Sequence, residues 1–203
     1  MVTGKKSLIM TRSYDIRAET PGDFAAISDL HRDAFGHDEP IPDLVHRLRH
    51  LDAPLPTASF VAEAASEAAS GAASGAASGA VIGHVMLSHG WLDAPQQMID
   101  ILVLSPLGIA KAAQGNGIGT ALLAHAAAAA RRTPAPILFL EGNPAYYGPR
   151  GFEPSKPCGI RSPSLRIPEP ALQMLRLPAY RPEMTGTLVY RDLWWELDCV
   201  GLR

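Results

Sequence analysis

The glycine-rich segment at 114–120 is the part of the sequence whose composition points most directly to chemistry. It reads Gln-Gly-Asn-Gly-Ile-Gly-Thr and leads straight into an alanine-rich stretch with the character of a helix. Glycines lack a Cβ, so the backbone N–H groups of such a loop can turn toward a ligand. The first turn of a helix also leaves about four N–H groups unpaired, at the positive end of the helix dipole. The segment therefore predicts an anion-binding cradle, although a tight strand-to-helix turn without a ligand would use the same glycines.

Some residues that are typical of known anion-binding loops are missing from this segment, and this limits the kinds of anion that it could bind. A loop for nucleoside triphosphates ends in Gly-Lys-Ser/Thr, whereas Gly119 is followed here by Thr120 and Ala121. A dinucleotide-binding fold uses G-x-G-x-x-G with an acidic residue about 20 residues further on. The glycines here are spaced G-x-G-x-G, and the acidic residue downstream is Glu141. The sequence thus excludes a triphosphate loop and supports a dinucleotide site only weakly.

A second motif occupies residues 143–152, which read Asn-Pro-Ala-Tyr-Tyr-Gly-Pro-Arg-Gly-Phe. Together with Gln114-x-x-Gly117-x-Gly119, it resembles two motifs of the GCN5-related N-acetyltransferase (GNAT) family. These are the Q/R-x-x-G-x-G/A loop that binds acetyl-CoA and the closing Y-x-x-x-G-F motif. The resemblance is greatest to the bacterial subfamily with a G-x-P-x-Y-Y-x-x-x-G-F signature, and it extends loosely from the first predicted strand to the last.

The resemblance implies that acetyl-CoA is the co-substrate. In the family, the diphosphate lies on the amides of the glycine loop and the pantetheine arm pairs with the preceding strand. The residues that the resemblance assigns to cofactor binding are Leu107, Gly108, Ile109, Gln114, Gly115, Asn116, Gly117, Ile118, Gly119, Thr120, Asn143 and Tyr147. It also assigns a hydrogen bond to the thioester oxygen to the backbone N–H of Ile109 or its neighbour.

Tyr147, four residues before Gly151, occupies the position of the family's general acid. A phenol with a pKa of about 10 stays protonated at neutral pH and can assist the departure of a thiol whose pKa is about 8.5. We interpret the neighbouring Tyr146 as aromatic packing. A base must also remove a proton from the ammonium form of the acceptor, and the candidates are Asp100, Glu141, His84 and His89. Glu141 is preferred, because the carboxyl ends of parallel strands face the ligand crevice.

The implied function is an N-acetyltransferase in which a primary amine attacks the thioester of acetyl-CoA directly in a ternary complex. The acceptor would be a small molecule or a peptide, and the acidic residues Asp38, Glu39 and Asp43 are candidates for attracting it. The alternative on the same fold is a non-catalytic acyl-CoA-binding sensor or interaction module. A nicotinamide or flavin oxidoreductase is a third interpretation. Homodimers, which are common in the family, are a further expectation.

Composition excludes several other classes of protein. The 18 Lys and Arg residues against 20 Asp and Glu residues give a net charge of −2, so no global positive field would attract nucleic acid. The longest membrane-like stretch, at 121–130, falls well short of the roughly 18 residues of a spanning helix, and the N-terminus lacks the apolar core of a signal peptide. Two cysteines and seven histidines show no metal-ligand spacing. We expect a cytoplasmic protein with no metal, no membrane contact and no nucleic-acid partner.

The elements that position these residues follow from the hydrophobic pattern. Met98–Ile109 is apolar almost throughout, as in a strand covered on both faces, and Pro106 implies a bulge because proline cannot donate to the ladder. A helix at 117–132 and a strand at 137–140 follow, which predicts a βαβ crossover with two parallel strands. The other predicted elements are a strand at 13–18, a helix after Thr20, a helix around Leu44 and Leu48, strands at 59–62 and 81–88, and a final strand within 185–197 that carries Trp194 and Trp195.

Together with the resemblance, this order predicts the α/β (α+β) fold class. We expect a GNAT-like mixed, mostly antiparallel twisted sheet flanked by helices, with a splayed parallel pair at the cofactor site. The length suits one domain rather than two, so we expect a flexible N-terminus at 1–12 and a single acetyltransferase domain at 13–203. Residues 64–79 read AASE followed by three copies of AASG, a low-complexity insertion without an assigned function.

Overall fold

A computed structural model of the chain describes residues 14–65 and 79–201. The expected flexible N-terminus at 1–12 and residues 66–78 of the expected insertion lie outside the described residues. The described strands are β1 (Tyr14–Ala18), β2 (Ala58–Ala64), β3 (Val81–Asp93), β4 (Met98–Ile109), β5 (Ile137–Glu141), β6 (Glu153–Pro154), β7 (Ile160–Arg161), β8 (Leu172–Arg176) and β9 (Gly186–Val189). The described α-helices are α1 (Phe24–Phe35), α2 (Ile41–Arg49), α3 (Ile118–Ala130), α4 (Pro144–Tyr147) and α5 (Asp192–Glu196).

The nine strands in the described part of the chain form one mixed sheet. Seven of them follow the order β1-β2-β3-β4-β5-β8-β6, and β9 pairs with β3 and β7. The pairs are antiparallel except for β4 with β5, which are linked through α3, and the two-residue β7 with β9. This confirms the predicted mixed, mostly antiparallel sheet and the predicted parallel pair around the helix.

Alternation along the central strands sends apolar side chains to both faces of the sheet. On one face, Leu102 and Leu138 pack in a cluster with Leu122 of α3. On the other face, Ile101 and Phe139 pack in a second cluster with residues of α1 and α2. These side chains are at most 1% exposed, and burying each contributes about 1.5–3 kcal/mol. The prediction that Met98–Ile109 is a strand covered on both faces is confirmed.

The helix α3 lies unusually close to the sheet at Gly83 of β3. A Cβ built on Gly83 would lie 2.8 Å from Leu122 Cδ1 and 3.0 Å from Ile118 Cγ2, both on α3. A side chain at this position would have to displace these side-chain atoms, so the glycine allows the first turn of α3 to pack closely on β3.

The parallel strands β4 and β5 diverge after a short stretch of pairing. Their last backbone pair joins Val103 to Phe139. Beyond it, β4 stays paired with β3 on its other edge as far as Ile109, and β5 stays paired with β8 as far as Glu141. The predicted splayed pair is therefore present, and it opens a cleft toward the carboxyl ends of both strands.

A bulge in β4 lies where the cleft opens. The register between β3 and β4 shifts there, so that Ser105 and Pro106 of β4 lie opposite the single residue Met86 of β3. Proline has no N–H group to give to a ladder, which favours a break in regular pairing at this point. The bulge predicted at Pro106 is confirmed.

The C-terminal segment differs from the prediction. The last strand, β9, ends at Val189, and Trp194 and Trp195 lie on the helix α5 rather than on a strand. A strand would bury alternate residues, whereas the consecutive Leu193 and Trp194 are both buried and Trp195 is 41% exposed. Asp192 in the first turn favours the helix, because a carboxylate there interacts well with the helix dipole.

The residues that the structure describes include neither a membrane-spanning helix nor a cluster of metal ligands. None of their helices is long and apolar enough to cross a membrane. No group of three or more His, Cys, Asp or Glu side chains at 14–65 and 79–201 is arranged to hold a metal ion.

Candidate functional site

The loop between β4 and α3 forms an open cradle. Gly115 and Gly117 have φ angles of +80° and +76°, in the left-handed region that favours glycine. A Cβ built at either position would meet no atom of the described residues within 4 Å, so the space beside these glycines can take a ligand. Gly117 is the N-cap of α3, and the unpaired N–H groups of the first helical turn border the same space. The cradle has the features of an anion site.

A cavity of about 380 Å³ occupies the cradle. Its lining residues are Ile109, Ala113, Gln114, Gly115, Gly117, Ile118, Gly119, Thr120, Tyr146 and Arg150. All of them except Ala113, Tyr146 and Arg150 were assigned to cofactor binding from the sequence. The assigned residue Asn116 does not line the cavity. Its Nδ2 donates to the carbonyl oxygens of Ala113 and Gln114, both at 3.2 Å, so it shapes the loop.

Arg150 brings a permanent positive charge to the cradle. Its Nε and Nη2 donate to Thr120 Oγ1 at 3.0 and 2.8 Å, and its guanidinium lies 3.8 Å from the centre of the Tyr146 ring. A Cβ on Gly119 would lie 2.7 Å from Tyr146 Oη, so this glycine lets the tyrosine approach the first turn of α3. From the sequence, Arg150 was not assigned to the site and Tyr146 was interpreted as aromatic packing. The Tyr146 ring does pack against the core and Arg150, and it also lines the cradle. A spacing of four residues in a helical stretch places the two side chains together.

A second cavity, the cleft cavity, of about 260 Å³ lies where β4 and β5 diverge. Its lining residues are Phe35, Glu39, Ile41, Val103, Leu104, Ser105, Pro106, Leu107, Glu141, Tyr147, Tyr190, Trp194, Asp198, Cys199 and Gly201. Leu107 and Tyr147 line this cavity, whereas Ile109 and Tyr146 line the cradle. The two cavities are therefore neighbours along both β4 and α4.

Tyr147 is held at the cleft by the short helix α4 and by a glycine. Asn143 caps α4, because its Oδ1 accepts from the N–H of Ala145 at 2.9 Å. Asn143 lines neither cavity, so the structure gives it a capping role. A Cβ on Gly142 would lie 2.2 Å from Tyr147 Cε2, so only glycine lets the ring lie against the end of β5. Burial raises the pKa of Tyr147 to about 12, which keeps its hydroxyl protonated at neutral pH.

Glu141 lines the cleft cavity at the carboxyl end of β5 and is held by two hydrogen bonds. Tyr190 donates its hydroxyl to Oε1 at 2.6 Å, and the backbone N–H of Gly201 donates to Oε2 at 3.1 Å. Burial raises the pKa of the Glu141 carboxyl, and the two hydrogen bonds oppose that rise. A carboxylate that is held in place and has a raised pKa is suited to take up a proton from a substrate.

The other predicted candidates for the base lie elsewhere. His89 Nε2 is 2.7 Å from Asp100 Oδ1, and the guanidinium of Arg191 lies 3.2 Å from His89 Nδ1. His84 lies in a separate buried cluster. None of His84, His89 and Asp100 lines the cradle or the cleft cavity. Of the four candidates, the structure brings only Glu141 to the cleft beside Tyr147.

The separate buried cluster is a chain of polar groups under the end of β4. His31 Nε2 lies 2.8 Å from His84 Nδ1, and His84 Nε2 lies 2.7 Å from Ser59 Oγ and 3.5 Å from Glu19 Oε2. Arg49 holds Glu19 through two hydrogen bonds of 2.8 and 3.1 Å. Because Glu19 is an acceptor, the chain is satisfied when His84 carries its proton on Nε2 and His31 donates from Nε2.

This arrangement fixes the end of β4 against α1. His31 Nδ1 is buried without a hydrogen-bond partner among the described residues, and a Cβ on Gly108 would lie 2.7 Å from it. Only glycine at 108 therefore leaves room for the imidazole of His31. The segment of β4 that was assigned to pantetheine binding packs against this imidazole. Burial lowers the pKa of His31 to about 2 and also lowers the pKa of His84. Sequence reasoning missed His31, since nothing local links α1 with β4.

Comparisons with known proteins find one family model and several solved structures that match this chain. The model of the Acetyltransferase (GNAT) family matches residues 24–148. A GNAT family N-acetyltransferase of Escherichia coli (YhbS), solved with CoA, is 25% identical, with a TM-score of 0.72 over 90% of this chain and 92% of that one. A GNAT family acetyltransferase of Brucella melitensis, solved with acetyl-CoA, is 24% identical, with a TM-score of 0.65 over 89% and 97% of the two chains. The comparison with curated proteins finds no match.

Acidification should destabilise the fold through the histidine pair. Below about pH 6.5 the unfolded chain binds protons at His31 and His84 that the folded chain does not bind, because both folded pKa values are lowered. The free energy of unfolding should therefore fall by up to about 1.4 kcal/mol per pH unit for each histidine. Urea unfolding at about pH 7 and about pH 5.5 measures this change, and Glu19 contributes only below about pH 4.5.

A variant separates this effect from general acid sensitivity. His31→Gln keeps a donor for His84 Nδ1 but cannot titrate, so it should remove roughly half of the pH-dependent loss. Equal unfolding free energies of the unmodified protein at the two pH values would contradict the prediction.

Proposed function

We propose that this chain, which belongs to the acetyltransferase (GNAT) family, transfers the acetyl group of acetyl-CoA to a primary amine. The observation that carries the proposal is the adjacency of the two cavities. An anion cradle and a cleft with an acid and a base share the strand β4 and the helix α4. A diphosphate in the cradle would therefore belong to a molecule whose thioester end reaches Tyr147 and Glu141.

The residues of the cradle fit the diphosphate of CoA. Unpaired N–H groups at the start of α3 and the left-handed glycines supply donors, and Arg150 supplies a positive charge. Gln114 already donates its Nε2 to the carbonyl oxygen of Ile109 at 3.1 Å, which ties the loop to the end of β4. Along the free edge of β4, Leu107, Gly108 and Ile109 are the residues that would pair with pantetheine. Acetyl-CoA, when bound, supplies an activated thioester.

Two side chains divide the proton transfers. Glu141 takes a proton from the ammonium form of the acceptor, so that the nitrogen can form its bond to the acetyl carbon. As the carbon–sulfur bond breaks, Tyr147 donates its hydroxyl proton to the sulfur, and the nitrogen releases its second proton to solvent. Glu141 then loses its proton to solvent and Tyr147 regains one from solvent. A backbone N–H at the free edge of β4, near Ile109, can donate to the developing oxyanion. The net products are an acetamide, free CoA thiol and one proton.

The alternative, a non-catalytic acyl-CoA sensor, uses the same fold and cradle. A sensor needs no leaving-group acid, and it needs no fixed carboxylate beside that acid. The closeness of Glu141 and Tyr147 to one cleft therefore favours the enzyme. The cradle and the general acid would serve a small-molecule acceptor and a peptide acceptor equally well. The residues that line the cleft cavity determine which class of acceptor can bind.

Replacing Tyr147 should slow turnover without weakening acetyl-CoA binding. Tyr147→Phe keeps the ring but removes the proton donor, so kcat should fall about 100-fold or more. Release of CoA thiol measures turnover, and isothermal titration calorimetry measures binding. Tyr180→Phe, which removes a hydroxyl outside both cavities, is the matched control and should leave both unchanged. An unchanged kcat in Tyr147→Phe would remove the tyrosine from the reaction.

Replacing Glu141 should change the pH profile. A base works only when ionised, so kcat/KM should rise with pH through the folded pKa of Glu141, which lies above its usual value because of burial. Glu141→Gln should lower kcat/KM and abolish this rise of kcat/KM with pH. A rise that comes from deprotonation of the amine substrate itself should remain. Glu183→Gln, an exposed carboxylate outside both cavities, is the control. If the acidic limb persists in Glu141→Gln, another group is the base.

Replacing Arg150 should weaken binding of the diphosphate alone. Arg150→Gln removes one partly exposed charge, so the Kd for CoA should rise about tenfold. The Kd for pantetheine, which lacks the diphosphate, should not change. Arg161→Gln is the control, because this exposed arginine bonds to Thr187 away from the cradle. An equal loss for CoA and pantetheine would mean that Arg150 only supports the fold.

A further inference from the structure

Among the residues that the structure describes, the charged side chains that line the cleft cavity are all acidic. They are Glu39, Glu141 and Asp198, and no Lys, Arg or His at 14–65 or 79–201 lines the cavity. Arg166, which is not among the lining residues, pairs with Asp198 and favours the ionised form of Glu141. Of the acidic residues that the sequence offered for attracting an amine, Glu39 lines the cavity, whereas Asp38 and Asp43 do not.

Four of the described residues that line the cavity are aromatic. The rings of Tyr190 and Trp194 stack with their centroids 5.1 Å apart and at an angle of 24°. Both residues are 3% exposed, and they share the cavity lining with Phe35 and Tyr147. Ring faces attract cations and also accept apolar groups. The wall thus favours a ligand with a positive charge and an apolar body.

The carboxylate of Glu141 is held in place in the cavity wall. Glu141 is held from two sides, by Tyr190 at 2.6 Å and by the N–H of Gly201 at 3.1 Å. A ligand carboxylate entering the cavity would lose its hydration beside this fixed charge and would find no cation to pair with among the described lining residues. Such a like-charge contact discriminates strongly between otherwise similar ligands.

We infer that the acceptor is a small amine that carries no carboxylate and has an apolar or aromatic body. The inference rests on the proposed function and concerns the same cleft. The cavity of about 260 Å³ is smaller than the roughly 300–1,000 Å³ of pockets for drug-sized ligands, and it must also take the acetyl end of the donor. An arylalkylamine fits this description, whereas a free amino acid with the same side chain does not.

Pairs of compounds that differ by one carboxylate test the inference. Phenethylamine is compared with phenylalanine, tryptamine with tryptophan, and isopentylamine with leucine, with acetyl-CoA at saturation and release of CoA thiol as the readout. In each pair kcat/KM should be at least about tenfold higher for the amine without the carboxylate. Putrescine, a dication without an apolar end, should be a poorer substrate than phenethylamine.

A charge reversal in the cavity sharpens the test. Glu39→Lys places a cation at the half-buried rim of the cavity, so it should raise KM for phenethylamine and narrow the difference from phenylalanine. Glu183→Lys makes the same change of charge on an exposed residue outside the cavity and should leave the ratio unchanged. Thermal unfolding of both variants checks that they are folded.

The possible results distinguish a failure of the inference about the acceptor from a failure of the proposed function. Turnover of phenylalanine, tryptophan or leucine at a rate equal to or above that of the matching amine would overturn the inference and leave an N-acetyltransferase. Binding of acetyl-CoA without turnover of any of these compounds, in a screen extended to polyamines and peptides, would overturn the proposed function and the inference with it.

Discussion

The divergence of β4 from β5 is the constraint on which the rest of the structure depends. Two parallel strands normally satisfy each other's backbone groups, but these two share pairs only as far as Val103 and Phe139. Each strand stays fixed by its other neighbour, β3 or β8, so the gap between them is held open by the sheet itself. Backbone N–H and C=O groups that are left unpaired in this way need a partner. An extended molecule lying between the strands can supply it.

The remaining features keep this gap in place and equip its ends. Pro106 breaks the regular pairing of β4, and Gly108 lets the buried His31 press against the strand from α1. At one end of the gap, the start of α3 and Arg150 line the cradle. At the other end, Tyr147 and Glu141 line the cleft cavity, from the segment after β5 and from its last residue. In the proposed function, cofactor binding and proton transfer therefore occupy the two ends of one opening.

Local sequence signals predicted the parts of the molecule that are encoded locally. The continuous apolar run at 98–109, its proline and the glycine loop before a helix specify a buried strand, a bulge and a cradle, because each depends on neighbours in sequence. The same holds for the preference for Glu141, which follows from its position at the end of a strand. The segment Asp-Leu-Trp-Trp-Glu at 192–196 was wrongly predicted as part of a strand, because five residues are too few to distinguish the two-residue period of a strand from the 3.6-residue period of a helix. In the structure, the consecutive residues Leu193 and Trp194 are both buried, as a helix allows.

The partners of the site residues were beyond local reasoning. Glu141 is held by Tyr190 and Gly201, which are separated from it by 49 and 60 residues in the chain. Which distant groups meet depends on the packing of the whole sheet, and no pattern in one sequence reports that.

The most direct test of the proposed function is isothermal titration of the protein with acetyl-CoA and, separately, with NADH. Both carry a diphosphate, but only acetyl-CoA has an arm for the open edge of β4. We predict binding of acetyl-CoA at one molecule per chain and no comparable binding of NADH. Equal or tighter binding of NADH would contradict the proposed function.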